Sequence, residues 1–207
     1  MIVRTYSVNT NYKGMRLIAN GSLLQSNTEV EKSIFIRPKL DLSYTFKKLL
    51  NWKIGAYAEL EQNQRTDIST DTLMAGSFFY NFFRVYSDLP ASKNLNLHIH
   101  YLHRYDYTPT SERFMVNSIA DDVNLAGDWI ASKASRLKWN LNYRSLYIKD
   151  STLTTQEPKQ TYLGRLEYIL NIKKGFIRSN TIYQLGSGQQ QKIEYNFVKV
   201  DQGQGSY

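Results

Sequence analysis

The stretch Ile34–Phe46 reads I-F-I-R-P-K-L-D-L-S-Y-T-F, and apolar and polar residues alternate along nearly all of it. Every second residue from Ile34 onward is apolar, whereas Arg37, Lys39 and Asp41 fall between them. A strand points successive side chains to opposite faces, while a helix would scatter both sets around its axis. The pattern therefore predicts a long strand with one apolar face and one polar face. Its Pro38 is irregular, because proline cannot donate a hydrogen bond to a neighbouring strand.

The same period-two pattern recurs along the chain and predicts about ten to eleven strands. The segment Asn117–Ile130 is the best competing helix, and its helical periodicity is poor. The clearest further strands are predicted at 52–61, 95–102, 137–147 and 162–172. Weaker strands are predicted at 2–9, 15–25, 78–87, 122–131, 176–185 and 192–200.

The predicted connections alternate between short and long. The short ones fall near 10–14, 47–51, 88–94, 132–135 and 173–175. The longer ones fall at 26–33, 62–77, 107–121 and 150–160. Long strands joined by tight turns at one end and loops at the other are typical of outer-membrane β-barrels. We therefore expect an all-β, antiparallel up-and-down meander, with residues 1–207 forming one domain that is part or all of such a barrel.

Composition narrows the classes of function. The 207 residues include no cysteine, which excludes disulfides, thiolate metal sites and cysteine nucleophiles. Aromatic residues make up 14% of the chain, too many for a disordered tail. The net charge of +8 is spread along strands and turns, with no run of basic residues, so we expect no nucleic-acid partner.

The two predicted faces suit a membrane and a polar interior. Polar residues expected to face a barrel interior are Arg37, Lys39, Asp41, Glu59, Glu61, Arg165 and Glu167. Tyrosines and tryptophans near strand ends are expected to lie at the membrane interfaces, where aromatic girdles form. These are Tyr44, Trp52, Tyr86, Trp129, Trp139 and Tyr147. Membrane lipid is accordingly the expected partner of the apolar face.

Few residues are spaced as a metal site or a catalytic site would require. His98 and His100 share the polar face and are weak candidates for a metal site, whereas His103 falls on the other face. Glu59 and Glu61 could form a glycosidase carboxylate pair, but no third group supports that reading. The alternative is that these side chains simply line a polar surface. We expect no catalytic residue, no cofactor and no metal.

The C-terminal segment 183–207 ends in Gly203-Gln-Gly205-Ser-Tyr207. It resembles a segment of very large, uncharacterised outer-membrane or cell-surface proteins of Bacteroidota. In that family the Gly-Gln-Gly-x-Tyr element precedes an Asp/Asn/Gly-rich stretch of calcium-loop type, and this chain stops before it. The resemblance implies a fragment of a longer protein and supplies no catalytic residue.

The leading expectation is a wall segment of an outer-membrane β-barrel with a structural or conduit role and no enzymatic activity. Its partners would be lipid and the remainder of a longer barrel chain or other subunits. The N-terminal residues lack a signal peptide, which we attribute to truncation. The alternative is a soluble periplasmic or surface β-domain that binds glycan or lipid through an aromatic-rich face.

Overall fold

The computed structural model describes residues 1–92, 94–172 and 177–187, and these form one antiparallel sheet with no helix. No helix long and apolar enough to cross a membrane occurs in those ranges. The first six strands are β1 (Ile2–Tyr12), β2 (Met15–Asn27), β3 (Glu31–Ile36), β4 (Lys39–Phe46), β5 (Trp52–Asp67) and β6 (Thr72–Leu73). The others are β7 (Phe78–Ser92), β8 (Leu95–Pro109), β9 (Phe114–Ser132), β10 (Ser135–Ile148), β11 (Lys159–Ile172) and β12 (Ile177–Ser187).

Strands β3 and β4 are the two halves of the strand predicted at 34–46, and Pro38 separates them. Ile36 lies opposite Gln62 of β5 and Lys39 lies opposite Glu59, so the register is the same on both sides of the break. Although proline donates no hydrogen bond, its carbonyl oxygen accepts one from a β5 amide at 3.1 Å. The interruption therefore costs one donor and leaves the strand path intact.

Neighbouring strands follow one another along the chain and are all antiparallel, which confirms the predicted meander. The short strand β6 pairs with the end of β5. At one end of the sheet, which we call the turn end, β1 and β2 are joined by Lys13 and Gly14 alone. Both residues have positive φ, 47° and 92°, as a two-residue type I′ hairpin requires. At the opposite end, the loop end, the longest segments between the described long strands are 68–77, which includes β6, and 149–158.

The loop predicted at 107–121 is wrong, because most of it is strand. β8 continues to Pro109 and β9 begins at Phe114, and the two pair across this stretch with one register shift. The alternation is hidden here because polar residues fall on both faces of the sheet, as with Ser118 and Asp121. The loop predicted at 62–77 is shortened for the same reason, since glutamines and a threonine continue β5 to Asp67.

The remaining strand predictions are confirmed wherever the structure describes them. The weak helical reading of 117–130 is wrong, since this stretch lies within β9. The predicted strand 192–200 and the predicted turn 173–175 lie outside the described residues. In the described part of the sheet, β1 is hydrogen-bonded to β2 and β12 to β11.

Candidate functional site

The strand register assigns every strand side chain to one of two faces, because directly paired residues point to the same side. We call the face that carries Leu40, Leu42 and Ile54 the apolar face, and the one that carries Lys39 and Asp41 the polar face. Following the pairs across the sheet places Leu97, Leu141 and Leu170 on the apolar face. The same pairs place Glu59, His98, Asn140 and Glu167 on the polar face, as the alternation predicts.

Burial is inverted relative to a soluble protein. Every buried residue within a described strand lies on the polar face: Ser43, Gly55, Glu59, Tyr86, Asp106 and Ser118. Large side chains of the apolar face stay open, with Leu42 and Leu141 each 43% exposed and Trp129 46% exposed. Polar side chains therefore cover one another on one face, while the other face has no described cover.

Glu59 is the centre of the polar cluster on β4 and β5. Its carboxylate accepts hydrogen bonds from the Arg37 guanidinium at 2.7 Å and the Tyr57 hydroxyl at 2.5 Å. The Lys39 ammonium lies 3.3 Å from the same carboxylate, and Arg37 also lies 3.2 Å from Glu61. Two carboxylates are thus compensated by two cations, so four of the predicted polar residues form one network.

Asp41 is joined to the next strands by Tyr86, which was predicted to be an interface aromatic. That prediction is wrong, because Tyr86 lies on the polar face, is buried and donates a hydrogen bond to Asp41 at 2.8 Å. Its ring lies over Gly55, where a side chain would overlap it, and the Lys53 ammonium is 4.8 Å from the ring centre. The 78–86 stretch is apolar at nearly every position, so local sequence does not assign its faces.

Further along the sheet the polar face continues with separate ion pairs. Arg165 lies 3.6 Å from Glu167 on β11, and Arg136 pairs with Asp128 across β9 and β10. Arg165 and Glu167 lie on the polar face, as predicted. They pair with each other and not with the cluster around Glu59.

A chain of hydrogen bonds crosses the middle of the polar face through two histidines. His98 Nδ1 lies 2.5 Å from Asp88, and His98 Nε2 lies 3.1 Å from His100 Nδ1. His100 Nε2 lies 3.2 Å from Asp122, which also accepts a hydrogen bond from Arg144 at 2.6 Å. Sequence reasoning missed both aspartates, because strand register and not local spacing brings them to the histidines.

No group of three or more histidine, aspartate or glutamate side chains is arranged to hold a metal ion in the part of the chain that the structure describes. His103 lies on the apolar face, as predicted, and pairs with Asp121 at 2.7 Å. The Tyr101 hydroxyl donates to the same carboxylate at 2.6 Å.

The apolar face is apolar only over a band that begins at the turn end. On β5 this band runs through residues 52–60, after which Gln62 and Gln64 take its place. Nine strand residues cover about 30 Å, which corresponds to a height of about 23 Å for strands tilted by about 40°. The first polar residues beyond the band on other strands are Gln25, Asn81, His103, Asp121, Ser145 and Gln160.

Aromatic side chains border this band. The structure places Tyr44, Trp52, Trp129 and Trp139 on the apolar face close to the turn end, and Tyr147 on the same face close to the loop end. The Trp139 ring lies over Gly127 of the neighbouring strand, where any side chain would overlap it. The Trp52 indole donates a hydrogen bond to the Ser87 hydroxyl at 2.8 Å, which fixes its ring against β7.

At the loop end, local hydrogen bonds order the connections. Asp150 accepts hydrogen bonds from the Thr152 backbone amide at 2.9 Å and from the Thr152 hydroxyl at 2.6 Å. These bonds favour the ionised carboxylate and lower the pKa of Asp150. Glu31 receives two hydrogen bonds from Arg65, at 2.6 and 2.7 Å, in a bidentate pair.

Comparisons with known proteins found no relative of this chain. No protein family, curated protein or solved structure matches the chain.

Proposed function

We propose that this chain forms a wall segment of an outer-membrane β-barrel, with its apolar face against lipid and its polar face toward the interior. The observation that carries the proposal is the inverted burial, in which the buried strand residues are on the polar face and the apolar face is open. A membrane protein of this type needs that arrangement, because its strands alternate apolar-out and polar-in.

Lipid fits the apolar face better than a second protein layer does. Soluble monomers rarely expose contiguous apolar patches larger than a few hundred Å². Here the exposed apolar side chains extend across the strands from β2 to β11. On the edge strands β1 and β12, apolar side chains alternate on this face with Arg4, Thr10, Ser179 and Thr181. The band also ends at a similar height on successive strands and has aromatic borders, which matches a hydrocarbon layer of about 25 Å with aromatic girdles.

The polar face supports a structural or conduit role. Its charges are compensated within the sheet, with Glu59 held by Arg37 and Lys39, and Asp122 by Arg144. A mixed-charge surface of this kind stays hydrated and is suited to the inside of a barrel. The partners in this proposal are lipid and the remainder of a longer barrel chain or other subunits.

Vesicle insertion tests the proposal. The purified chain, diluted from urea into preformed phosphatidylcholine vesicles, should float with the lipid in a density gradient. Added proteinase K, which needs no Lys or Arg at the cleavage site, should then cut the connections 68–77 and 149–158 before it cuts the strands. A variant with Leu42→Asp and Leu141→Asp should lose flotation, whereas the matched control with Asn20→Asp and Asn140→Asp, which lie on the polar face opposite Lys39 and Arg165, should retain it.

The soluble β-domain is the rival reading, and the same experiment separates the two. A chain that stays in the aqueous fraction, is folded there by circular dichroism and binds immobilised glycans would contradict the barrel wall. Such a result would favour recognition through the aromatic-rich face.

A further inference from the structure

His98 and His100 meet nitrogen to nitrogen on the polar face of β8. Their near nitrogens, Nε2 of His98 and Nδ1 of His100, are 3.1 Å apart. Each far nitrogen lies against a carboxylate, at 2.5 Å from Asp88 for His98 and at 3.2 Å from Asp122 for His100. Both aspartates therefore fix the orientation of an imidazole ring.

The carboxylates also determine which ring nitrogens carry hydrogens. An ionised carboxylate only accepts hydrogen bonds, so the nitrogen that faces Asp88 and the one that faces Asp122 must both be N–H donors. In a neutral imidazole the other nitrogen then carries a lone pair. With both carboxylates ionised and both rings neutral, the near nitrogens of His98 and His100 are two acceptors 3.1 Å apart. A proton on one of them, or a cation bound by both from one side, makes that contact favourable.

We propose that His98 and His100 bind one divalent first-row transition-metal cation of the Cu²⁺, Ni²⁺ or Zn²⁺ class. Metal–imidazole bonds of about 2.05 Å place two ligand nitrogens about 2.9 Å apart at a right angle and about 3.4 Å apart at the tetrahedral angle. The observed separation lies between these values. Water completes the coordination, since the His98 side chain is 41% exposed.

The surroundings of the pair resemble those of metal-binding histidines. Such ligands usually donate the second ring N–H to a carboxylate, which orients the ring and raises its basicity. Here both rings have that partner. Charge balance also permits a cation, because Asp88 lies 3.7 Å from Lys53 and Asp122 lies 2.6 Å from Arg144, so the site is close to neutral before metal binds.

This site is independent of the membrane proposal, because it depends only on the pairing of β7 to β10. Its test uses the untagged full chain, refolded in detergent, and Cu²⁺ alone as the probe. Electron paramagnetic resonance should show one Cu²⁺ per chain with nitrogen couplings from two imidazoles. His98→Ala and His100→Ala should each weaken the dissociation constant at least about tenfold and remove one nitrogen coupling.

Two further variants distinguish a defined Cu²⁺ site at His98 and His100 from nonspecific Cu²⁺ binding to any imidazole. His103→Ala, on the opposite face, should leave the affinity and the spectrum unchanged. Asp88→Asn keeps both imidazoles and should weaken Cu²⁺ binding about 10- to 100-fold. Circular dichroism confirms that each variant is folded. Copper binding that is unchanged in folded His98→Ala, or the absence of saturable binding to the unsubstituted chain, would overturn the proposal and leave a proton shared between the two rings.

Discussion

Ser43 and Leu42 are neighbours in β4 and lie on opposite faces of the sheet. Ser43 is 5% exposed beneath the polar side chains, whereas Leu42 and the next apolar residue, Tyr44, are each 43% exposed. In a soluble sheet the apolar face would be the covered one. The comparison shows that folding leaves much of the apolar face of this sheet exposed. Ion pairs and hydrogen bonds, in contrast, hold the side chains of the polar face together.

The largest expected loss comes from removing the centre of the polar cluster. Glu59→Ala removes a 5% exposed carboxylate and leaves Arg37 and Lys39, which are 42% and 32% exposed, without their shared partner. It should lower the free energy of unfolding by about 3–5 kcal/mol, measured by urea titration of tryptophan fluorescence in detergent.

Glu61→Ala is the matched control for that substitution. The Glu61 side chain is 28% exposed and has one ion pair at 3.2 Å, so its loss should cost below about 1 kcal/mol. Similar losses for Glu59→Ala and Glu61→Ala would mean that the polar face is not the stabilised one.

A charge on the apolar face tests what covers that face. Leu42→Arg should lower stability in a bilayer by about 2–4 kcal/mol, because the side chain lies inside the band. Gln64→Arg lies on the same face beyond the band and should cost about 0–1 kcal/mol. Unfolding in lipid vesicles measures both, and equal small effects would indicate that water contacts this face.

The fold was largely predictable because its period-two alternation is a local property of the sequence. Where polar residues appear on both faces, as around Gln62 and Asp121, the alternation is lost and loops were predicted for residues that form strands. The histidine face was predictable from spacing, while Asp88 and Asp122 were not, because they come from other strands. The position of Tyr86 depends on the space above Gly55, which only the register reveals.

Two glycines on opposite faces allow an internal comparison of close packing. Gly55→Ala would push Tyr86 off the polar face, and Gly127→Ala would displace Trp139 on the apolar face. Each should cost about 1–3 kcal/mol in urea unfolding. In Gly164→Ala the new methyl meets Leu141 at 3.4 Å, an ordinary contact, so this variant should be neutral or slightly stabilising. A loss at Gly164 as large as at the other two would count against the packing argument.

The smallest effect concerns the aromatic border at the turn end. The Trp52 indole and the Ser87 hydroxyl are 2.8 Å apart, so Trp52→Phe and Ser87→Ala remove the two partners of one hydrogen bond. A double-mutant cycle should give a coupling free energy of about 0.5–1.5 kcal/mol. Strictly additive losses would show that the bond does not anchor the ring.

Nitroxide accessibility tests the central claim most directly. Spin labels at Leu42 and Leu141 on the apolar face, and at Asp41 and Asn140 on the polar face, would be measured in lipid vesicles by power-saturation electron paramagnetic resonance. The account predicts that the first pair collides with lipid-soluble oxygen and the second pair with a water-soluble nickel chelate. Equal accessibility of both pairs to the nickel chelate would contradict it.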